Sequence, residues 1–302
     1  MTFLLAIILA ALLFLTSVTI ILLIIGPTLL LRPRRRTEEY YRSKGLPTTP
    51  SDLGLGYQQF DVTMDADVKL EGWYIQADLP VRGTILYLHG VGDCKIDGLH
   101  AAKLFHDDRY NVFLYDARRH GASGGDFCTY GYYEKSDVSR VIDFLAKTVN
   151  PALKSVGIFG TSMGAAVALQ AAATDKRITA VVAENSFTTL RSIFDDYQKR
   201  MIKLPLHYLR NIVILRSEFL ARFRASDVSP ISAVQNVHVP VLFVYGEQDH
   251  LINCKYSLQL YEAANKPKAI YPIPGATHNN TWLIGGSTYE KSVLKFFEDN
   301  LR

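Results

Sequence analysis

Cysteine is scarce in this chain: its 302 residues hold three, Cys94, Cys128 and Cys254, with no C-x-x-C pair among them. An odd and scattered set supports neither a disulfide framework nor a zinc site, and it suits a reducing compartment. An excess of one charge sign is missing as well. The formal net charge is +4, from 33 basic and 29 acidic residues, far from the basic footprint of a nucleic-acid binder, so no nucleic-acid partner is expected. Internal repeats and low-complexity segments are absent, which removes solenoids and tandem arrays. With 48% hydrophobic and 21% charged residues, the chain is too apolar to stay disordered.

The most telling absence is that of any charged residue between Phe3 and Leu31. About 20 apolar residues cross a hydrocarbon core of about 30 Å, so the run reads as a transmembrane helix. A cleaved signal peptide is the competing reading. It calls for a basic leading region, a shorter apolar stretch and a small-residue cleavage site, and none of these is evident. Arg32, Arg34, Arg35 and Arg36 follow the run. By the positive-inside rule they place a single-pass protein with its body in the cytoplasm, where anionic lipid head groups meet the arginines. Thr37 to Gly56 is polar, carries Pro47 and Pro50, and reads as a linker. The expected division is therefore an anchor over 1–36, a linker over 37–56 and one soluble domain over 57–302.

Within that domain, Phe60 to Met64 and Val68 to Ile75 suggest an antiparallel strand pair. Short apolar runs follow at Thr84 to Leu88, Val112 to Tyr115, Val156 to Phe159, Ala180 to Ala183, Val241 to Tyr245 and Ala269 to Ile273. Runs with so few polar residues are those of strands buried on both faces. Helical stretches at Gly98 to Asp107, Glu134 to Lys147, Gly164 to Ala173 and Lys255 to Ala264 separate many of them, which predicts an α/β fold with a mostly parallel sheet. Ser186 to Pro230 is much longer than a usual connection and reads as a helical cap insertion. Its Lys199, Arg200, Lys203, Arg210, Arg216, Arg222 and Arg224 stand among Met201, Ile202, Leu204, Leu206, Leu209, Ile212, Phe219, Leu220 and Phe223. Such a face either packs on its own domain or touches anionic lipid as a lid.

The pentapeptide Gly160-Thr161-Ser162-Met163-Gly164 lies between an apolar run and an alanine-rich one, the strand, turn and helix setting of a G-x-S-x-G nucleophile elbow. A chain of this length matches the bare pattern by accident about one time in ten, so the flanks carry the argument. A serine hydroxyl needs a base to take its proton, and the base needs a carboxylate to hold its tautomer. In the order Ser, Asp, His, the loop after Val241 to Tyr245 supplies Asp249 and the loop after Ala269 to Ile273 supplies His278. Glu184, at the end of another predicted strand, is the reserve acid. An oxyanion needs two backbone N–H donors, expected from Met163 and Val91, the latter in Leu88-His89-Gly90-Val91-Gly92. His89 reads as a structural loop residue. Asp116, Arg118 and His120 read as braces, and Tyr130, Tyr132 and Tyr133 as packing or rim residues.

These motifs, His89-Gly90, Asp116 through Gly121, the elbow, Gly246 through Asp249 and Gly275 through His278, make the run from Tyr57 onward resemble the α/β-hydrolase family. Within it the chain is similar to membrane-anchored serine hydrolases of the protein-depalmitoylase and lysophospholipase-like branch. The resemblance implies an eight-stranded, mostly parallel sheet flanked by helices, with a small helical cap after the sixth strand. Eukaryotic depalmitoylases attach through a cysteine-rich lipidated N-terminus, whereas this chain has no cysteine before Cys94. The function expected is hydrolysis of carboxylic esters or thioesters of an acyl-chain or lipid-like substrate, through an acyl-enzyme and with no metal or organic cofactor. The competing readings are a peptidase or amidase on the same triad and a non-catalytic binding protein that keeps the fold.

Overall fold

The short apolar runs become strands because they are too brief for a helix, and all but the last are buried on both faces; Ala269 to Ile273, expected to be buried likewise, lies at the sheet edge with Ala269 and Pro272 exposed. A computed structural model describes residues 2–65, 68–153, 155–202 and 207–301. The chain opens with α1 (Thr2–Ile20), passes through a π turn (Ile21–Ile25) into α2 (Gly26–Leu31), and then forms α3 (Glu38–Arg42). Next come β1 (Gln58–Asp65), β2 (Val68–Ile75), β3 (Gly83–Leu88), α4 (Leu99–Asp107), β4 (Tyr110–Tyr115), α5 (Glu134–Phe144), β5 (Val156–Thr161), α6 (Met163–Ala172) and β6 (Ile178–Glu184). The remainder is α7 (Leu190–Ile202), α8 (His207–Ala221), α9 (Pro230–Ala233), β7 (Val241–Gly246), α10 (Lys255–Ala263), β8 (Lys268–Ile273) and α11 (Thr281–Asn300).

The eight strands form one sheet in the order β1-β2-β4-β3-β5-β6-β7-β8. β1 and β2 pair antiparallel, β2 joins β4 antiparallel, and every neighbour beyond β4 is parallel. Alternate side chains feed two cores. Leu86, Ile158 and Val181 face the cluster that includes α5 and α6 residues, while Ile85, Tyr87 and Phe159 face the one built with Phe105 of α4 and Phe297 of α11. Because the parallel strands share a direction, the loops that follow them gather at one rim, with the reversal of strand order between β3 and β5 opening a crevice there.

The predicted helices and strands appear within a few residues of their expected ends, and the insertion between β6 and β7 holds two helices, α7 and α8. Ile193, Phe194, Ile214 and Phe223 turn inward, whereas Tyr208, Leu215 and Phe219 remain exposed, so the cap packs on its own domain along one side only. Lys203, Leu204 and Leu206, with the side chains of Met201 and Ile202, lie outside the described residues. The pattern of the sequence does not announce α11, which contains Gly285 and is interrupted at Gly286, where φ is 52° and ψ −153°.

The apolar stretch Phe3–Leu31 reaches a mean hydropathy of 3.0, and its outer part is bare, with Leu13 69% and Phe14 68% exposed. Its inner end is stitched to the body. Gly26 lies so close to α8 that a Cβ there would stand 2.9 Å from Val213 Cγ2. Leu31 is buried, its carbonyl accepts from Cys128 N–H at 2.8 Å, and Tyr130 donates to the Leu30 carbonyl at 2.9 Å. The polar segment Thr37 to Gly56 is folded, with Tyr41 and Leu55 buried and a 3₁₀ turn at Pro50–Leu53.

Phe297 is fully buried, edge-on to Phe105 at 5.6 Å, and stacks over Gly157, where a Cβ would come within 2.8 Å of its ring. Phe297→Ala is expected to cost about 3–5 kcal/mol, read as a shift in the urea midpoint of the full chain in detergent.

Candidate active site

β5 ends at Thr161 and α6 begins at Met163, so Ser162 alone turns the chain. It does so at φ 54° and ψ −115°, a conformation that costs a non-glycine residue about 1–3 kcal/mol. The Ser162 N–H donates to the Glu184 carbonyl at 2.8 Å, which ties the turn to the end of β6. A Cβ on Gly160 would stand 2.5 Å from the Gly164 carbonyl oxygen, and one on Gly164 would stand 2.0 Å from that of Leu88. Both glycines are thus required by backbone contact, and the close approach of α6 to β3 brings the β3 loop over the serine.

Two rim loops carry the other two residues expected from the sequence, Asp249 and His278. His278 Nδ1 lies 2.6 Å from Asp249 Oδ2, and the Asp249 carboxylate is fully buried. Its other oxygen accepts the N–H groups of Leu251 and Ile252 at 2.7 and 2.8 Å, so the carboxylate is fixed in orientation as well as position. Gln248 N–H donates to the Ala276 carbonyl at 2.8 Å and locks the two loops together. Ser162 and His278 line one cavity of about 480 Å³ with Gly90, Val91 and Tyr197. Among the described residues the link from His278 to Asp249 is closed by a hydrogen bond, while that from His278 to Ser162 is not, and such contacts commonly tighten only with substrate.

Gly90 passes directly over the serine, where a Cβ would be 3.4 Å from Ser162 Cβ. Val91 N–H has no acceptor among the described residues, and Met163 N–H is the first of α6, where a helix offers no acceptor of its own. Two backbone N–H groups beside the serine are thus left without a partner among the described residues. The loop is held at its far end by Asp116, whose carboxylate accepts Lys95 N–H at 2.6 Å and Lys95 Nζ at 2.7 Å. His89 Nε2 accepts Ala117 N–H at 2.9 Å, so its proton sits on Nδ1, 2.7 Å from the Gly90 carbonyl. Arg118 makes a forked pair with Asp137 at 2.7 and 2.6 Å. The reserve acid Glu184 is buried between Tyr289 Oη, at 2.6 Å, and Thr161 Oγ1, at 3.1 Å, and burial pushes its carboxyl above the usual range. Tyr133 donates toward the Ala221 and Arg222 carbonyls of the cap, and Tyr132 packs on Phe223.

Two contributors escape a reading of the sequence. Asn185, at φ 52°, accepts Gly246 N–H at 3.0 Å and donates to the His278 carbonyl at 3.3 Å, so one amide joins β6, β7 and the histidine loop. Its single signal is that asparagine tolerates positive φ after a strand. Arg36 is the other: its N–H donates to the Gly92 carbonyl at 3.0 Å and its guanidinium pairs with Asp93, both on the loop that carries Val91.

The family described as serine aminopeptidase, S33 (Hydrolase_4) matches residues 80–230, a span that holds Val91, Ser162 and Met163 and stops before Asp249 and His278. The chain is 31% identical over 232 residues to YqkD of Bacillus subtilis (strain 168), covering 76% of this chain and 75% of that protein. It is 29% identical over 269 residues to the alpha/beta hydrolase domain-containing protein WAV2 of Arabidopsis thaliana, covering 85% and 83%. Among solved structures, the Pyrococcus furiosus esterase Pf2001 matches with a TM-score of 0.71 at 25% identity, covering 89% of this chain and 97% of that one.

His120 donates from Nδ1 to the Arg118 carbonyl at 2.9 Å and is fully buried. Burial first, and then His89 beside it, lower its pKa from 6.5 to about 3. The depressed value means that His120 adds stability above the unfolded-state pKa, lost as the pH falls from about 6.5 toward 3, because only the unfolded chain takes up the proton there. His120→Phe is expected to flatten the fall of unfolding free energy across that window in denaturant titrations at stepped pH.

Proposed function

This chain belongs to the Hydrolase_4 family of α/β-hydrolases, and from that membership we propose that it is a membrane-anchored serine hydrolase cleaving carboxylic esters or thioesters of acyl chains. The observation that carries the reading is the 2.6 Å bond between His278 and the buried Asp249, made at the wall of the cavity that also receives the strained Ser162. An esterase among the similar structures supports the ester as the bond broken.

In this reading Asp249 holds the Nδ1 proton of His278 and leaves Nε2 as the base. Ser162 Oγ adds to the substrate carbonyl as Nε2 takes its proton, and the oxyanion that forms is met by the N–H groups of Val91 and Met163. Collapse breaks the bond to the alcohol or thiol, which leaves with the proton from Nε2. Water then repeats the sequence on the acyl-serine: Nε2 takes its proton, the acid is released and the serine regains its hydrogen. Asp249 stabilises the imidazolium at both stages.

The apolar stretch Phe3–Leu31, long enough to span, is the proposed anchor, with Arg32 to Arg36 on the cytoplasmic side and the body beside the bilayer, where acyl substrates are concentrated. Peptidase or amidase activity is the second reading, favoured by the description of the family as serine aminopeptidases, since the same machinery attacks amides.

A fluorophosphonate probe should label the native chain and leave Ser162→Ala unlabelled; labelling that persists in the variant would defeat the assignment. His278→Ala should lower turnover of a p-nitrophenyl ester by several orders of magnitude, and comparing that ester with an aminoacyl amide separates the two readings. Protease added to sealed vesicles of native orientation should digest the body only from the cytoplasmic face.

A further inference from the structure

The loop that carries Val91 is gripped from two sides. Asp116 and Lys95 hold its far end from within the body. The other grip comes from outside the hydrolase domain, from the arginine run that follows the apolar helix. Arg36 N–H donates to the Gly92 carbonyl at 3.0 Å, directly beside Val91. The Arg36 guanidinium pairs with Asp93 Oδ2 and lies over the Tyr40 ring at 4.9 Å. Tyr41, buried, gives its hydroxyl to the other oxygen of the same carboxylate, which also accepts Cys94 N–H at 3.1 Å. Arg34 presses from the same side, its carbonyl 3.1 Å from where a Cβ on Gly92 would stand.

This segment has nowhere to drift. It is pinned before the arginines by buried Leu31 and after them by buried Tyr41, and Arg35 fastens its middle to the carbonyls of Gly121 and Ser123 at 3.2 and 3.0 Å. Asp93 N–H closes the loop on the Gly90 carbonyl at 3.2 Å, so a shift of Asp93 is passed to the two peptide units that precede it. Arg36 also stands in the wall between the Ser162 cavity and a larger one of about 880 Å³ that reaches Leu29 and Pro33 at the end of the apolar helix.

We propose that Arg36 is a positioning residue for the oxyanion loop: through Asp93 and Gly92 it holds the Val91 N–H on the carbonyl oxygen under attack, so that turnover depends on the juxtamembrane segment being seated on the body. The proposal rests on the serine-hydrolase reading above. Oxyanion donors act through placement, and displacing one by about 1 Å weakens the transition state far more than the bound ester. The loss therefore belongs in kcat. Charge matters as well as bulk, because the carboxylate of Asp93 is buried and is set by the guanidinium on one oxygen and the phenol on the other.

The test uses the full chain in detergent micelles, a short p-nitrophenyl ester, and kcat counted per active site titrated with fluorophosphonate. Arg36→Met is expected to lower kcat about tenfold to a hundredfold with KM within twofold, and Arg36→Lys, which keeps a cation for Asp93, to recover most of it. Asp93→Asn should lower kcat in the same way, and the double variant should lose no more than either alone, as two ends of one contact do. The proposal is overturned if Arg36→Met leaves kcat within twofold of native, if the loss falls in KM, if the two losses multiply, or if Arg36→Lys is as impaired as Arg36→Met. Labelling that survives Ser162→Ala would bring down the hydrolase reading itself, a result separable from every outcome of the Arg36 series.

Discussion

The rim is organised by how closely α6 can approach β3 and β5. At Gly164 the helix backbone lies against the Leu88 carbonyl, with room for hydrogen but not for a methyl group. That approach bends the chain at Ser162 into a conformation serine ordinarily avoids, and it lays Gly90 over the serine side chain. The strain is held by packing: α6 is buried along almost its whole length, and the Ser162 N–H is bonded across to β6. A turn this costly persists only where its surroundings leave no other path.

Around that turn the fold works by converting strand order into proximity. The loops after β3, β5, β7 and β8 bring Val91, Ser162, Asp249 and His278 to one edge of the sheet because the strands before them run parallel. Short bonds between loops then replace what the strands cannot set. Gln248 holds the aspartate loop to the histidine loop, Asn185 holds both β7 and the histidine loop to β6, and Asp116 holds the loop of Val91. The apolar N-terminal helix joins the same network through Leu30 and Leu31, which makes the arginines after it part of the body. Charges that a sequence assigns to lipid head groups are here engaged in part by Asp93 and by backbone carbonyls.

Legibility followed the range of the interaction. Strands β3 to β7 are plain in the sequence because burial on both faces leaves an unbroken apolar run, and the elbow is plain because its steric demand falls on glycines two residues from the serine. The segment Thr37 to Gly56 misleads, since its prolines and polar residues match those of a linker while Tyr41 and Leu55 find partners far along the chain. α11 is hidden by its own glycines. Arg36 carries no local signature and Asn185 only the tolerance of asparagine for positive φ, for each matters through backbone or carboxylate groups brought near by folding.

What the amino-acid order determines alone is therefore whatever neighbours in the chain can enforce: an apolar span, alternation of strand and helix, a turn that admits no Cβ on either flank, and the order Ser, Asp, His. The tertiary structure decides which of those residues meet and how tightly. It closes His278 on Asp249 at 2.6 Å, takes Glu184 into a bond with Tyr289 instead, and sets an arginine from beside the apolar helix against the loop above the serine. The reason is that hydrogen bonds are lost within about an ångström of their ideal length, while spacing in sequence says nothing about distance across a sheet until the strand order is known.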